Sequence, residues 1–131
     1  MRRQARTEYT LDVDATVIEA EKEEAQWTYK KERGYQPMMG FLFEVGVVLC
    51  DEFREGNIPA QAGAVEFFDL CQRMMPEGKR IGYYRADSAS YQAGVMNRCF
   101  SDHVLFTITA DQDEAVKEAL RNIGRQEWRL V

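Results

Sequence analysis

The sequence predicts one α/β domain built on a mixed β-sheet. Three observations lead to this class: a length of 131 residues, an apolar content of 45%, and an order in which strand-like segments come first and helices then alternate with strands. Charged residues make up 30% of the chain, which excludes a disordered tail and a fibrous protein. The chain therefore has the length and the apolar content for a single packed core.

The first third of the chain is predicted to form three antiparallel strands. Residues 9–18 alternate polar with apolar or β-branched side chains, and residues 27–30 have the pattern of a second, shorter strand. Residues 40–50 are apolar enough for a buried central strand, with a helical or bulged start at residues 38–41. No helical pattern separates these segments, which disfavours a doubly wound sheet of the flavodoxin type.

The rest of the chain is predicted to alternate helices and strands. Right-handed crossovers would make these later strands parallel to the first one. An antiparallel three-strand meander, followed by parallel strands and flanked by helices, is the order of a ribonuclease-H-like fold. The predicted elements are helices over residues 64–75, 91–100 and 115–123, strands over residues 80–87 and 103–109, and the start of a strand at residues 127–131.

The charge balance excludes a simple basic DNA-binding module. The chain has 17 basic and 22 acidic residues and a net charge of −5, whereas such modules cluster lysine and arginine for phosphate contacts. An acidic balance is compatible with a metal-dependent enzyme, whose site is itself built from carboxylates. No apolar run approaches the roughly 18 residues of a membrane span, and no signal peptide is evident, so we expect a cytoplasmic protein without a membrane partner.

The cysteine and histidine content excludes several other kinds of site. Cys50, Cys71 and Cys99 are widely spaced and form no C-x-x-C pair, so neither a disulfide framework nor a structural zinc site is predicted. We expect them to be small apolar core residues. His103 is the only histidine, which rules out a nucleophilic triad and a histidine-rich metal site.

Two aspartates at strand ends, Asp14 and Asp87, are the candidate catalytic residues and metal ligands. A charge at the end of an apolar strand is unfavourable unless it is paired or binds a cation. If the two strands are neighbours, the carboxylates converge, and Mg²⁺ or Mn²⁺ would relieve their repulsion and contact substrate phosphate. Asp12 shares a strand face with Asp14, and only one of them is expected to be the central ligand. The alternative is that each aspartate caps a turn or a helix, as Asp87 can before Ser88.

Five short segments together carry a family resemblance: residues 11–19, 34–37, 53–57, 63–68 and 85–88. In this order they resemble the bacterial insertion-sequence transposases of the DDE type. The first catalytic aspartate of that family belongs to a D-x-T signature, which corresponds to Asp14. The second belongs to an A-D-S-G-Y signature, which corresponds to Asp87, with Ala89 in place of the glycine and the aromatic residue at Tyr91.

The resemblance implies a metal-dependent enzyme of DNA transposition, with transposon ends and target DNA as partners. Asp14 and Asp87 would hold Mg²⁺ or Mn²⁺ for strand cleavage by water and strand transfer by a 3′-hydroxyl. The family's third carboxylate, a glutamate on a later helix, has no identifiable counterpart, because Glu114 and Glu118 come too early and Glu127 precedes the last strand. We therefore expect residues 1–131 to be one truncated or partial catalytic core that is inactive alone. Homodimerisation is an expectation for the full-length protein.

Five further side chains are candidates for contact with DNA. Arg54 and Asn57 lie in the turn that the resemblance places near the site. Lys30, Lys31 and Arg33 form a small basic cluster among aromatic residues, a combination that can contact a nucleic-acid backbone. The alternative for this cluster is a solvated hairpin whose aromatic side chains cover the sheet.

Two other functions remain open from the sequence. A stand-alone ribonuclease-H-like nuclease would keep the fold but would need a third acid within the chain, such as Asp111 or Glu114. A non-catalytic α/β interaction domain would use the aspartates as caps and would present its acidic surface to a protein partner.

Overall fold

The alternating segment near the N-terminus forms the central strand of the main sheet. In the computed structural model, which describes residues 6–129, this strand is β1 and covers Glu8–Ala15. Leu11 and Val13 are buried on one face of β1, and alternation places Asp12 and Asp14 on the other. The pattern of the sequence therefore predicts this element correctly.

A small second sheet follows β1. It consists of β2 (Ile18–Glu19), β3 (Gln26–Trp27) and β4 (Arg33–Tyr35), with β4 in the middle. The prediction of a meander strand over residues 27–30 is wrong, because β3 ends at Trp27 and a turn follows it. The polar residues around this segment leave it without the apolar face that a place in the main sheet requires.

The apolar run over residues 40–50 forms a hairpin, so the prediction of a single strand there is wrong. β5 (Met38–Leu42) and β6 (Val47–Glu52) pair antiparallel, and Gly46 lies in the turn between them with a φ of 70°. This left-handed φ favours glycine, a turn signal that the apolar residues around it obscure. The predicted bulge is present, since the register shifts between Gly40 and Phe41.

The remaining elements alternate as predicted. They are α1 (Ala64–Met74), β7 (Arg80–Ala86), α2 (Ala93–Ser101), β8 (Leu105–Ile108) and α3 (Glu114–Arg121). The main sheet has the order β6-β5-β1-β7-β8. β5 runs antiparallel to both β1 and β6, β7 runs parallel to β1, and β8 runs parallel to β7. This arrangement confirms the ribonuclease-H-like class.

The C-terminal end differs from the prediction of a new strand at residues 127–131. Arg125–Glu127 form a short 3₁₀ helix, and Leu130 and Val131 lie outside the described residues. A strand needs a neighbouring strand for its backbone hydrogen bonds, and none pairs with Trp128 or Arg129 in the described part of the chain. Among residues 6–129, no helix has both the length and the apolar character needed to cross a bilayer.

The core lies between one face of the main sheet and the helices α1 and α2. Phe68 and Cys71 of α1 and Val95 of α2 are fully buried there. Phe68 meets Tyr84 of β7 edge to face, with 5.0 Å between the ring centroids. Burial raises the pKa of Tyr84 to about 12, so its hydroxyl stays neutral and shares a hydrogen bond with Ser90. This packing holds β7 beside β1 and thereby positions the ends of both strands.

All three cysteines are free thiols, which agrees with the prediction that they are core residues. Cys71 and Cys99 are buried, and Cys50 is partly buried. Burial raises the pKa of Cys99 to about 11 and raises the pKa of Cys71 as well. The two buried thiols therefore stay protonated and pack as small apolar side chains.

Candidate metal site

The C-terminal ends of β1 and β7 bring two carboxylates to one edge of the sheet. The strands are parallel neighbours, in register up to the pair of Val13 and Ala86. Asp14 and Asp87 come directly after this pair in the chain, and neighbouring strands lie about 4.8 Å apart. Asp87 lies one residue beyond β7 and keeps an extended backbone, with φ −77° and ψ −172°. Both residues therefore lie at the same edge of the sheet.

A cation engages Asp12 but not Asp14. The Arg85 guanidinium donates to both carboxylate oxygens of Asp12, at 2.6 and 2.7 Å, and lies 4.5 Å from the ring centroid of Phe43. These hydrogen bonds to Asp12 raise the pKa of Arg85. Asp14 is exposed, accepts a hydrogen bond from the Thr16 hydroxyl at 3.3 Å, and forms no ion pair within residues 6–129. Of the two aspartates, Asp14 is therefore the one whose charge is available to a metal ion.

Asp87 is exposed, and one of its two oxygens is engaged. Its Oδ1 accepts a hydrogen bond from the backbone N–H of Ala89 at 3.0 Å, which caps the short 3₁₀ helix over Ser88–Ser90. The capping alternative is thus correct for this oxygen. Within residues 6–129, Asp87 has no cation beside it. The capping bond orients the carboxylate and leaves its charge uncompensated.

A cavity at Asp87 contains one further acid. It has a volume of about 410 Å³ and is lined by Asp111 and by Ala15, which adjoins Asp14. Glu114 does not line this cavity and pairs with a lysine of its own helix at 2.9 Å. No group of three histidine, cysteine, aspartate or glutamate side chains in the described part of the chain is arranged to hold a metal ion. Residues 6–129 thus supply two carboxylates and not a complete ligand set.

Two carboxylates of this kind fit a hard divalent cation. In proteins, Mg²⁺ is bound through one or two carboxylates, with water and substrate phosphate oxygens at its other positions. Asp14 and Asp87 are exposed, so such positions are open to solvent and substrate. No cysteine or histidine lines the cavity beside them, which disfavours the softer metals.

The basic cluster lies at the tip of the small sheet. Lys30, Lys31 and Arg33 are exposed, with the Arg33 guanidinium 5.5 Å from the ring centroid of Trp27. The Lys30 ammonium lies 5.9 Å from the ring centroid of Tyr29. Trp27 is 60% exposed and Tyr29 72%, so these rings do not cover the sheet as the alternative reading requires. The cations and rings form one local arrangement, and its contact with DNA stays a prediction.

Arg54 and Asn57 differ in their exposure to solvent. Arg54 is only 5% exposed; its Nε donates to Glu52 at 3.1 Å, and its Nη1 is buried and has no hydrogen-bond partner within residues 6–129. The structure therefore withholds Arg54 from a DNA backbone, contrary to the expectation from the turn sequence. The reason is tertiary, since the Arg54 carbonyl accepts the backbone N–H of Gln36 at 2.9 Å and the segment lies against the sheet. Asn57 is exposed and lines a groove beside the cavity.

Arg85 and Gln36 also lie at this edge of the sheet, although neither is a functional candidate from the sequence. Arg85 precedes Asp87 by two residues, as Asp12 precedes Asp14, and this matched spacing is a signal for their pairing on parallel neighbours. Gln36 is 2% exposed and lines both the cavity and the adjoining groove. The signal for Gln36 in the sequence is its position directly before a proline and an apolar strand.

Comparison with known proteins identifies the family. Residues 1–129 match the family described as transposase DDE domain group 1. The chain belongs to this family. The resemblance seen in the five short segments is thereby confirmed, and the family acts in DNA transposition or integration. Among curated proteins, no sequence matches this transposase domain.

Solved structures similar to the transposase domain include retroviral integrase cores. The HTLV-2 integrase catalytic core domain in complex with magnesium, in its trimeric form, matches with a TM-score of 0.57 and 13% identity over 92% of this chain and 69% of that chain. A chain of the simian T-cell lymphotropic virus intasome in complex with a PP2A regulatory subunit matches with a TM-score of 0.56 and 12% identity over 92% of this chain and 38% of that chain. Identities this low show a shared fold alone, and that fold is ribonuclease-H-like.

Proposed function

We propose that this transposase domain holds Mg²⁺ or Mn²⁺ between Asp14 and Asp87 for DNA strand cleavage by water and strand transfer by a 3′-hydroxyl. The observation that carries the proposal is that the two aspartates come directly after the last paired residues, Val13 and Ala86, of neighbouring parallel strands. Neither is paired with a cation in residues 6–129, whereas Arg85 pairs with Asp12 one step earlier. A cation at this edge would offset two negative charges that the described chain leaves uncompensated.

The chain's own residues orient the two ligands. The Ala89 backbone N–H holds one oxygen of Asp87, and the Thr16 hydroxyl holds one oxygen of Asp14. Each carboxylate thereby has a restricted orientation and a second oxygen to offer to a cation. A bound divalent cation supplies positive charge to the attacking and leaving oxygens of a phosphodiester.

We further propose that a third carboxylate outside residues 6–129 completes the ligand set, as the family resemblance implies. With two carboxylates, the chain alone is expected to bind the cation weakly and not to cleave DNA. The proposed partners are transposon ends and target DNA, and the proposed location is the cytoplasm. We propose a homodimer for the full-length protein.

Thermal unfolding in millimolar Mn²⁺ tests the metal site. A ligand that binds only the folded state, present at ten times its dissociation constant, adds about 1.4 kcal/mol to the free energy of unfolding. For a domain of this size that corresponds to a rise of about 3–5 °C in melting temperature. We expect the wild type to show this rise and Asp14→Ala and Asp87→Ala to lose it.

The control is Glu77→Ala, which removes an exposed acid at the opposite end of β7 and should keep the full rise. Potassium chloride at matched ionic strength replaces Mn²⁺ in a parallel series to exclude a general salt effect. A wild-type melting curve that Mn²⁺ leaves unchanged contradicts the proposal and favours the non-catalytic interaction domain.

A stand-alone nuclease is the second candidate function, and the position of Asp111 in the cavity at Asp87 favours it. If Asp111 is the third ligand, Asp111→Asn will remove the Mn²⁺ response as fully as Asp87→Ala does. If the third carboxylate comes from outside the described residues, Asp111→Asn will keep most of the response.

A further inference from the structure

A second cavity adjoins the candidate metal site and has no part in the chemistry proposed above. It lies between the small sheet and the loop that joins β6 to α1, and its volume is about 550 Å³, which is within the range of small-molecule sites. We call it the amide–aromatic groove after the lining side chains Trp27, Tyr29, Gln36, Asn57 and Gln61. Three of these residues, Tyr29, Gln36 and Gln61, also line the cavity at Asp87, so the two cavities adjoin each other.

The two aromatic rings of the groove are held in solvent by an ordered turn. The Lys31 N–H donates to the Thr28 carbonyl at 3.0 Å, and the Thr28 N–H donates to the Glu32 carbonyl at 2.8 Å. Tyr29 lies on this turn and Trp27 directly precedes it, and both side chains are mostly exposed. Exposed rings on a fixed backbone are a stacking surface, and a nucleobase of any identity has a π-face to stack on them.

Gln36 lies at the floor of the groove. Its side chain is buried, with 2% exposure, and it lines both cavities. A carboxamide offers a donor and an acceptor side by side, and this pair matches the hydrogen-bonding edge of a nucleobase. Asn57 and Gln61 place two more amides along the same wall.

The walls of the groove are fixed by close backbone packing. A Cβ at Gly56 would lie 2.4 Å from the Gly34 carbonyl oxygen and 2.8 Å from Thr28 Cγ2, so the loop lies this close to the small sheet because residue 56 is glycine. On the other side, the Gln92 side chain donates to the Gln61 carbonyl at 2.8 Å. The groove is thus preformed, which lowers the entropy lost when a ligand binds.

The charge around the groove favours a polyanion. The chain has a net charge of −5, but no acidic residue is among those that line the groove in the described part of the chain. Lys30 and Arg33 lie beside its two aromatic rings instead. A ligand that carries both a base and phosphates would meet rings and amides in the groove and cations at its rim.

We propose that the amide–aromatic groove binds an unpaired nucleobase of the DNA strand whose phosphate lies at Asp14 and Asp87. The base stacks on Trp27 or Tyr29, and the Gln36 amide pairs with its edge. The identification of the ligand as DNA rests on the proposed function. A base inside a duplex has both faces stacked and its edge paired, so the groove selects a base that has left the duplex.

Fluorescence anisotropy with labelled oligonucleotides at one salt concentration tests this proposal. Three probes of equal length are compared: a single strand with all bases, the same strand with abasic sites at its centre, and a fully paired duplex. We expect the wild type to bind the intact strand at least about fivefold more tightly than either other probe. Trp27→Ala and Tyr29→Ala should lose this preference, while Trp128→Ala, another exposed tryptophan outside the groove, should keep it.

Asn57→Ala is a second groove variant, chosen because Asn57 is exposed and its loss should not disturb folding. We expect it to reduce the preference for the intact strand by roughly threefold. Equal binding of the intact and abasic strands by the wild type overturns the proposal, and so does a loss in Trp128→Ala that equals the loss in Trp27→Ala.

The Mn²⁺ rise in melting temperature, measured on the same proteins, separates the groove from the metal site. A lost base preference with a full Mn²⁺ rise in Trp27→Ala supports the groove as a separate binding surface. A base preference in a wild type that shows no Mn²⁺ rise overturns the proposed metal site and supports the groove alone.

Discussion

Two successive positions along β1 and β7 differ in whether the protein compensates the charge of their carboxylates. At the first step Asp12 lies opposite Arg85, and a two-pronged hydrogen-bonded pair compensates its charge. Asp14 and Asp87 come directly after the last paired residues of the two strands, and neither forms an ion pair within residues 6–129. The strands and the residue type are the same, so the difference lies in what the neighbouring strand provides. An aspartate beside an arginine is satisfied within the protein, whereas the two exposed aspartates at the strand ends are open to water or to an ion from outside.

Removing one of the unpaired carboxylates is expected to have the largest effect on metal binding. Asp14→Asn keeps the size of the side chain and removes its charge, so Mn²⁺ should bind at least tenfold more weakly, a loss of about 1.4 kcal/mol. Asp12→Asn removes the same charge two residues away and leaves both ligands in place, so we expect a change of less than about threefold. Calorimetric titration with Mn²⁺ measures both constants. Equal losses in the two variants would show that Asp12 is a ligand too.

Removing the arginine is expected to have an intermediate effect of the opposite sign. Arg85→Ala leaves Asp12 uncompensated, about 7 Å along the strand from Asp14. The added negative charge should tighten Mn²⁺ binding by roughly threefold, and the lost pair should lower the melting temperature slightly. Arg98→Ala is the matched control, because Arg98 of α2 is also ion-paired, with Asp69 and Asp102, but lies away from the candidate metal site. Weaker Mn²⁺ binding in Arg85→Ala would instead mean that Arg85 positions the site.

The smallest expected effect is a pH dependence of the free energy of unfolding. It comes from Glu44, which contacts Thr10 at the other end of the same face of β1. The Glu44 carboxylate accepts hydrogen bonds from the Thr10 backbone N–H at 2.9 Å and from the Thr10 hydroxyl at 2.8 Å. Burial opposes the charge of Glu44, but these hydrogen bonds and Arg6 hold its pKa below the ordinary value of 4.5. Because the folded pKa is below the unfolded one, Glu44 stabilises the fold above pH 4.5. This contribution is lost as the pH falls through the lowered pKa.

Urea unfolding of the wild type and of Glu44→Gln checks this pH dependence. At about pH 6 the wild type should be more stable by ~0.5 kcal/mol or less, since the pair of Glu44 with Arg6 is partly open to solvent. The difference should shrink at pH values well below 4.5, as the pH falls through the lowered pKa of Glu44. A difference that is the same at both pH values would show that Glu44 acts through packing and not through its charge.

The predicted edge of the site follows from features that are local in the chain. Asp14 and Asp87 each come at the end of an apolar strand, and the C-terminal ends of parallel strands meet at one edge of a sheet. Their assignment as catalytic residues and metal ligands stays a prediction. The errors concern non-local contacts: Trp27 belongs to the small sheet because β3 pairs with β4 and not with the main sheet. Arg54 is buried because the fold brings Glu52 and Gln36 around it.

The class of fold follows from the sequence alone, and the sequence also supplies the short set of acids that we propose as metal ligands. Alternation, helical spacing and an acid after an apolar strand are properties of neighbouring residues, and they hold before any tertiary contact forms. Only the tertiary structure decided which acid is satisfied and which is not. Asp12 and Arg85 are 73 residues apart, and their contact depends on the register of two parallel strands that no local pattern specifies. The same dependence on distant contacts placed the buried Gln36 in a groove beside Asp87.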